Sequence, residues 1–140
     1  MKRRYFWSVP LVLLAAAVAA PLLLRAQSGS LATKKNDEGN VQVSVTPQGL
    51  SKADGAWRFT VQFTTHVTPI SQDMMAVASL DGNAASEKPT AWEGDGPGGH
   101  HRKGVLVFKP IDPMPAAVTL HIRQVGGIAD RTFTWDLARR

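Results

Sequence analysis

The sequence predicts an all-β domain, an antiparallel β-sandwich of immunoglobulin-like size with six or seven strands. Short runs of residues alternate between apolar and polar side chains, which is typical of strands with one buried face. Gly, Pro, Asn and Asp residues separate these runs at regular spacing over about 100 residues. No window of the domain has the 3.6-residue repeat of an amphipathic helix. A small closed barrel is the alternative arrangement.

The clearest strand pattern runs from Trp57 to Thr64, where Trp57, Phe59, Val61 and Phe63 share one parity. The weakest signal lies at 90–93. The full set of predicted strands covers 41–46, 57–64, 74–80, 90–93, 105–109, 118–123 and 132–137. Two stacked sheets would bury the aromatic residues between them, namely Trp57, Phe59, Phe63, Phe108, Phe133 and Trp135.

Residues 1–26 have the pattern of an export signal, because the basic residues 2–4 precede an apolar run at 5–24. This segment is predicted to be either a cleaved signal peptide or an N-terminal membrane anchor, since about 20 apolar residues suffice to span a bilayer. Residues 27–40 are polar and predict a flexible linker, and residues 41–138 form the β domain. Either alternative places the domain outside the cytoplasm, where it is periplasmic, secreted or tethered to the membrane's outer face.

Composition excludes several classes of protein. The chain has 16 Lys and Arg against 11 Asp and Glu, but four of the basic residues lie within 1–26. The rest of the chain is therefore nearly neutral, which argues against a nucleic-acid partner. The absence of cysteine excludes disulfides, thiolate nucleophiles and thiolate metal ligands.

Trp92–Phe108 is the stretch in which acids, glycines and two adjacent histidines are most concentrated. Its His100 and His101, together with His66 near the end of a predicted strand, are the candidate metal ligands. Three imidazoles meeting at one end of the sheets would suit copper or zinc, with a nearby carboxylate as a further ligand. His121 falls on the polar face of its strand and is expected to be a solvated surface residue.

The same loop also has a purely structural interpretation. In it, Pro97–Gly99 form a turn, Trp92 packs on the edge of the sheets, and the histidines bond loop carbonyls. Arg102 then pairs with Asp95 or Glu93. An enzyme is not expected, because the chain has no nucleophile elbow, phosphate loop or HExxH motif.

Several segments together resemble a largely uncharacterised set of small exported bacterial and archaeal β domains. The shared pattern is TH…WEG…GGHHR-GVL…GG…R-F-W, and here it comprises Thr65–His66, Trp92–Gly94, Gly98–Arg102, Gly104–Leu106, Gly126–Gly127, Arg131, Phe133 and Trp135. The resemblance implies an exported β-sandwich whose His66, His100 and His101 form one group. The overall plan is also similar to that of periplasmic copper-binding sandwich domains, which is an analogy of architecture.

Two functions are compatible with these observations. The first is an exported binding module that holds copper or zinc through His66, His100 and His101. The alternative is a non-catalytic structural or protein-interaction domain of the cell envelope, with an envelope protein as partner. In both, membrane contact occurs only through residues 1–26, if they are not cleaved.

Overall fold

A computed structural model describes residues 31–138, so the signal or anchor predicted at 1–26 lies outside the described residues. The described chain is all-β, with nine strands and one short helix. The strands are β1 (Lys34–Asn36), β2 (Val41–Pro47), β3 (Trp57–Thr65), β4 (Ala78–Gly82), β5 (Ala85–Glu87), β6 (Ala91–Gly94), β7 (His101–Phe108), β8 (Ala117–Val125) and β9 (Ile128–Asp136). The helix α1 spans Met74–Val77, and a 3₁₀ turn spans Glu38–Asn40.

The strands form two antiparallel sheets. The first has the order β1-β2-β3-β7-β6, and the second has the order β5-β4-β8-β9. The chain passes from the first sheet to the second between β3 and β4, and α1 lies on this crossing. The predicted all-β class with antiparallel sheets is therefore confirmed.

The core lies between the two sheets and is formed by the alternate residues of the central strands. In β3 every second residue from Trp57 is buried, as the period-2 pattern predicts. The ring of Phe59 lies 5.8 Å from that of Phe108 on the neighbouring strand β7. It also lies 5.5 Å from the ring of Trp135 on β9, and this contact links the two sheets. All six aromatic residues predicted for the core are buried.

The structure differs from the predicted elements in several places, and β7 and β9 each begin four residues earlier than predicted. Residues 74–77 form α1, so the strand predicted at 74–80 begins only at Ala78. The cause is a helix cap, since the Asp73 side chain accepts a 2.9 Å hydrogen bond from the Met75 N–H. Lys34–Asn36, expected within the linker, form β1, and β5 was not predicted. Both strands have three residues, which is too short for a visible alternation.

The hairpin between β8 and β9 has a turn of only two residues, as does the hairpin between β4 and β5. Gly126 and Gly127 have φ values of 62° and 75°, which side chains rarely adopt and which a type I′ turn requires. A Cβ atom on Gly126 would also lie 2.5 Å from Cγ2 of Val41. This glycine therefore allows the hairpin to pack closely against the first residue of β2.

None of the helices within residues 31–138 has the length and apolar character needed to cross a membrane.

Replacing Trp57 with alanine should destabilise the protein by about 3–5 kcal/mol, because the side chain is 0% exposed and its removal leaves a cavity. The substitution also leaves the Ser51 carbonyl without the 3.1 Å hydrogen bond from the indole N–H. Denaturant unfolding followed by circular dichroism measures the change. Val67→Ala is the control, since Val67 is 64% exposed and its truncation should cost less than about 0.5 kcal/mol. Equal losses for the two variants would contradict this account of the core.

Candidate functional site

His66 and the His100–His101 pair lie at the same end of the first sheet, as the metal hypothesis requires. Thr64 is the register partner of His101, and the Thr65 N–H donates a 2.9 Å hydrogen bond to the His100 carbonyl. The end of β3 therefore meets the start of β7. This end of the two sheets, where residues 65–73 and 95–101 connect the strands, is called the loop end below.

The three histidines lie where β3 ends and β7 begins. His101, the first residue of β7, lies opposite Thr64, and side chains opposite each other in an antiparallel pair share a face. His66 follows β3 and lines a surface cavity with Thr64, whereas His100 precedes β7. All three side chains are exposed. Within residues 31–138, no three His, Cys, Asp or Glu side chains are grouped closely enough to hold one metal ion.

The buried polar side chain at the loop end is that of Arg102 in β7, and not that of a histidine. Its side chain is only 3% exposed. The guanidinium donates hydrogen bonds to three backbone carbonyls, at 2.6 Å to Gln72, 3.1 Å to Asp95 and 3.3 Å to Ile70. Arg102 thus contacts the backbone of Asp95, where the sequence led us to expect a pair with the Asp95 or Glu93 carboxylate.

Asp95 connects the loop to β6 and β7 through its backbone and one carboxylate oxygen. Its carbonyl accepts hydrogen bonds from Arg102 and, at 2.8 Å, from the indole N–H of Trp92. Its carboxylate accepts a 2.8 Å bond from the Lys103 N–H, and its own N–H donates to the Lys103 carbonyl at 2.9 Å. These bonds attach the loop to β6 and β7 at this residue.

Trp92 packs beneath Arg102 because two glycines leave room for it. The guanidinium carbon of Arg102 lies 5.3 Å from the centre of the indole, which is a cation–π contact. A Cβ atom on Gly104 would lie 2.5 Å from the Trp92 ring. Gly94 is the register partner of Gly104, and a Cβ there would meet the Gly104 backbone. Gly104 thus leaves room for the indole, and Gly94 allows β6 and β7 to approach each other closely.

The glycine turn is held to the opposite crossing segment by two backbone hydrogen bonds. The Gly98 N–H donates to the Ile70 carbonyl at 2.8 Å, and the Ile70 N–H donates to the Gly99 carbonyl at 3.0 Å. Ile70 itself is buried. The turn is therefore bonded to the segment that crosses between the sheets. The histidine side chains take no part, since they make no hydrogen bond with the described residues.

Burial lowers the pKa of the Arg102 guanidinium, and the charges of Asp95 and Asp73 act in the opposite direction. The guanidinium remains charged at neutral pH, because an arginine starts from so high a pKa. Its charge therefore strengthens the hydrogen bonds to the three carbonyls.

A cavity of about 370 Å³ opens beside Trp92 and Arg102. We call it the Trp92 cavity, and its lining residues are Ser71, Gln72, Asp73, Met75, Trp92, Gly94, Asp95, Gly96, Pro97 and Arg102. The sequence pointed to the half of this site that lies in the Trp92–Phe108 stretch. It did not predict Ser71 and Gln72 in the other half, because polar residues on a strand-to-strand crossing carry no signal of what they will face.

A second buried arginine, Arg131, lies at the same end of the two sheets. Arg131 is 0% exposed and donates to the carbonyls of Glu38, Val41 and Val125 and to the side-chain oxygen of Asn36. Burial lowers its pKa, and the charge of Glu38 partly offsets that effect. Arg131 thereby joins β9 to the start of the first sheet.

His121 is mostly buried and contacts two carboxylates, whereas its place on the polar face of the strand predicts a solvated surface residue. Its side chain is 16% exposed, and its two ring nitrogens lie 2.7 Å from Asp130 and 3.2 Å from Asp81. Asp81 belongs to β4 and Asp130 to β9, so His121 on β8 bridges three neighbouring strands. Only strand order brings these carboxylates together, which is why the sequence did not reveal them.

Comparison with protein-family models, curated proteins and solved structures finds no match to this chain in any of the three. The resemblance to exported β domains and the copper or zinc site therefore stay predictions.

Replacing Arg102 with methionine should destabilise the protein by about 3 kcal/mol or more, because three carbonyls lose a charged donor in a buried setting. Thermal and denaturant unfolding measure the loss. Lys103→Met is the matched control, since the neighbouring side chain is exposed and its change should stay within about 0.5 kcal/mol. A small effect of Arg102→Met would mean that the loop end does not depend on these bonds.

Proposed function

We propose that this chain is a non-catalytic protein-interaction domain of the cell envelope, built as an immunoglobulin-like β-sandwich and displayed outside the cytoplasm. The basic and apolar pattern of residues 1–26 supports the location. The order of strands in two antiparallel sheets supports the sandwich architecture. The partner is an envelope protein.

The observation that carries this proposal is the construction of the loop end. Buried Arg102 and the backbone bonds of Gly98 and Ile70 hold its loops in one conformation. On that framework lie exposed side chains without described hydrogen-bond partners, His66 and His100 among them, together with the Trp92 cavity. The exposed Val67 adds an apolar contact at the same end. A rigid loop surface is what a binding domain presents to its partner, because little entropy is lost on association.

A photoreactive phenylalanine analogue tests where the partner binds. Placed at His100 in the full-length chain, it should give covalent adducts larger than the 15.1 kDa protein on irradiation of intact cells. Placed at Lys109, it should give none, because that exposed residue follows β7 at the far end of the sheets. Equal adducts at both positions, or none at His100, would contradict a partner at the loop end.

A metal site of two histidines is the second candidate function. The observation in its favour is that His66 and His101 line two surface cavities that share Thr64. A copper or zinc ion at this place would use water or another side chain, such as His100, as further ligands.

Titration of the full-length chain with Cu(II) and with Zn(II) tests the second candidate. Binding to the folded state alone should stabilise the protein by about 2.7 kcal/mol at a hundredfold excess over Kd. Replacing His66 and His101 together with alanine should remove the effect, and His100→Ala should reduce it less because His100 lines neither of the two cavities. If the wild type and the His66/His100/His101 triple-alanine variant respond alike, histidine coordination is wrong.

A further inference from the structure

The Trp92 cavity opens to the surface at the loop end. We propose that it binds a basic side chain, lysine or arginine, of the partner protein. This inference rests on the proposed interaction function and names the chemical group that the domain recognises.

The charge of the cavity favours a cation. Its ionisable lining residues are Asp73, Asp95 and Arg102, which gives a net charge of −1. The Arg102 guanidinium is already engaged with three carbonyls, so much of its donor capacity is used. One positive group from a partner would neutralise the remaining charge, whereas an anion would meet two carboxylates.

The hydrogen-bonding groups of the cavity are mainly acceptors. Asp73 uses one carboxylate oxygen to cap α1, and Asp95 uses one to accept from the Lys103 N–H. Each has a second oxygen that bonds no described residue. An ionised carboxylate only accepts hydrogen bonds, so these oxygens require a donor from outside the domain or from water.

Gln72 adds an acceptor that is left without a partner. Its Nε2 donates a 2.9 Å hydrogen bond to the Gln124 carbonyl, which orients the amide. Its Oε1 is then buried and has no hydrogen-bond partner among residues 31–138. A buried acceptor without a donor costs free energy, and a small movement of this side chain toward the cavity would let it accept from an ammonium or guanidinium group.

The apolar part of the cavity fits the methylene groups of a lysine or arginine side chain. Trp92 and Met75 line the wall beside the acceptors. Lysine and arginine carry three or four methylene groups that pack on apolar surface while the charged head bonds polar groups. A volume of about 370 Å³ accommodates either side chain together with water.

Ligand titration with the full-length chain tests the proposal. The probes are N-acetyl-arginine methylamide and N-acetyl-lysine methylamide, with the citrulline and glutamate analogues as neutral and acidic controls. Binding is followed by the NMR signal of the Trp92 indole N–H, which is assigned from its loss in Trp92→Phe. The basic probes should shift this signal saturably, and added salt should weaken them. A larger shift with the acidic probe, or none with the basic probes, would overturn the proposal.

Amide variants locate the contact. Asp73→Asn and Asp95→Asn should each weaken binding of the basic probes about tenfold, because each removes a charge while retaining a hydrogen-bonding side chain. Asp37→Asn is the matched control, since Asp37 is exposed and does not line this cavity. It should leave the affinity unchanged. Equal weakening by all three would indicate general attraction to the domain and overturn the site.

A photoreactive residue at Ser71, which is exposed and lines the cavity, separates a protein partner from a free amine. Protein adducts at Ser71 that arginine amide suppresses support the proposal. Binding of the basic probes without any protein adduct assigns the cavity to a small amine, and the partner side chain is then wrong. Adducts at His100 with no binding of the basic probes leave the interaction function standing and refute only the basic group.

Discussion

The arrangement of the loop end depends on two buried guanidinium groups that bond backbone carbonyls. Connections between strands leave carbonyls that no strand can pair, and burying them without donors is costly. Arg102 bonds such carbonyls from residues 70, 72 and 95, and Arg131 bonds the carbonyl of residue 38 together with those of the strand-end residues 41 and 125. Arginine suits both places because several donors diverge from one planar group and its charge persists after burial.

These contacts determine what the domain displays. Because Arg102 lies over Trp92 and bonds the Asp95 carbonyl, the indole, the acidic loop and the crossing segment meet around one cavity. The same contacts leave the histidines on the surface, where they do not support the loop. The stretch that is richest in chemically versatile residues therefore has two parts, a buried framework and an exposed set of side chains available to a partner or a metal ion.

The sequence predicted the strands well where one face is buried and the other is not. Val41–Pro47 and Trp57–Thr65 alternate strictly, and both form central strands of the first sheet. The start of β7 was missed because His101, Arg102 and Lys103 are all polar, so their alternation is invisible. Arg102 is buried there only because loop carbonyls from other segments surround it. Hydropathy describes an isolated residue, and it cannot anticipate acceptors that are distant along the chain.

By itself, the sequence determined the all-β class, most of the strands and the aromatic core. Each of these follows from local properties: the period of the side chains, their volume, and the positions of glycine and proline. The tertiary structure decided that Arg102 and Arg131 are internal, that His121 bridges Asp81 and Asp130, and that Gln72 and Asp73 face Trp92. The physical reason is that burial and electrostatic pairing depend on strand order and register, which bring together residues separated by tens of positions along the chain.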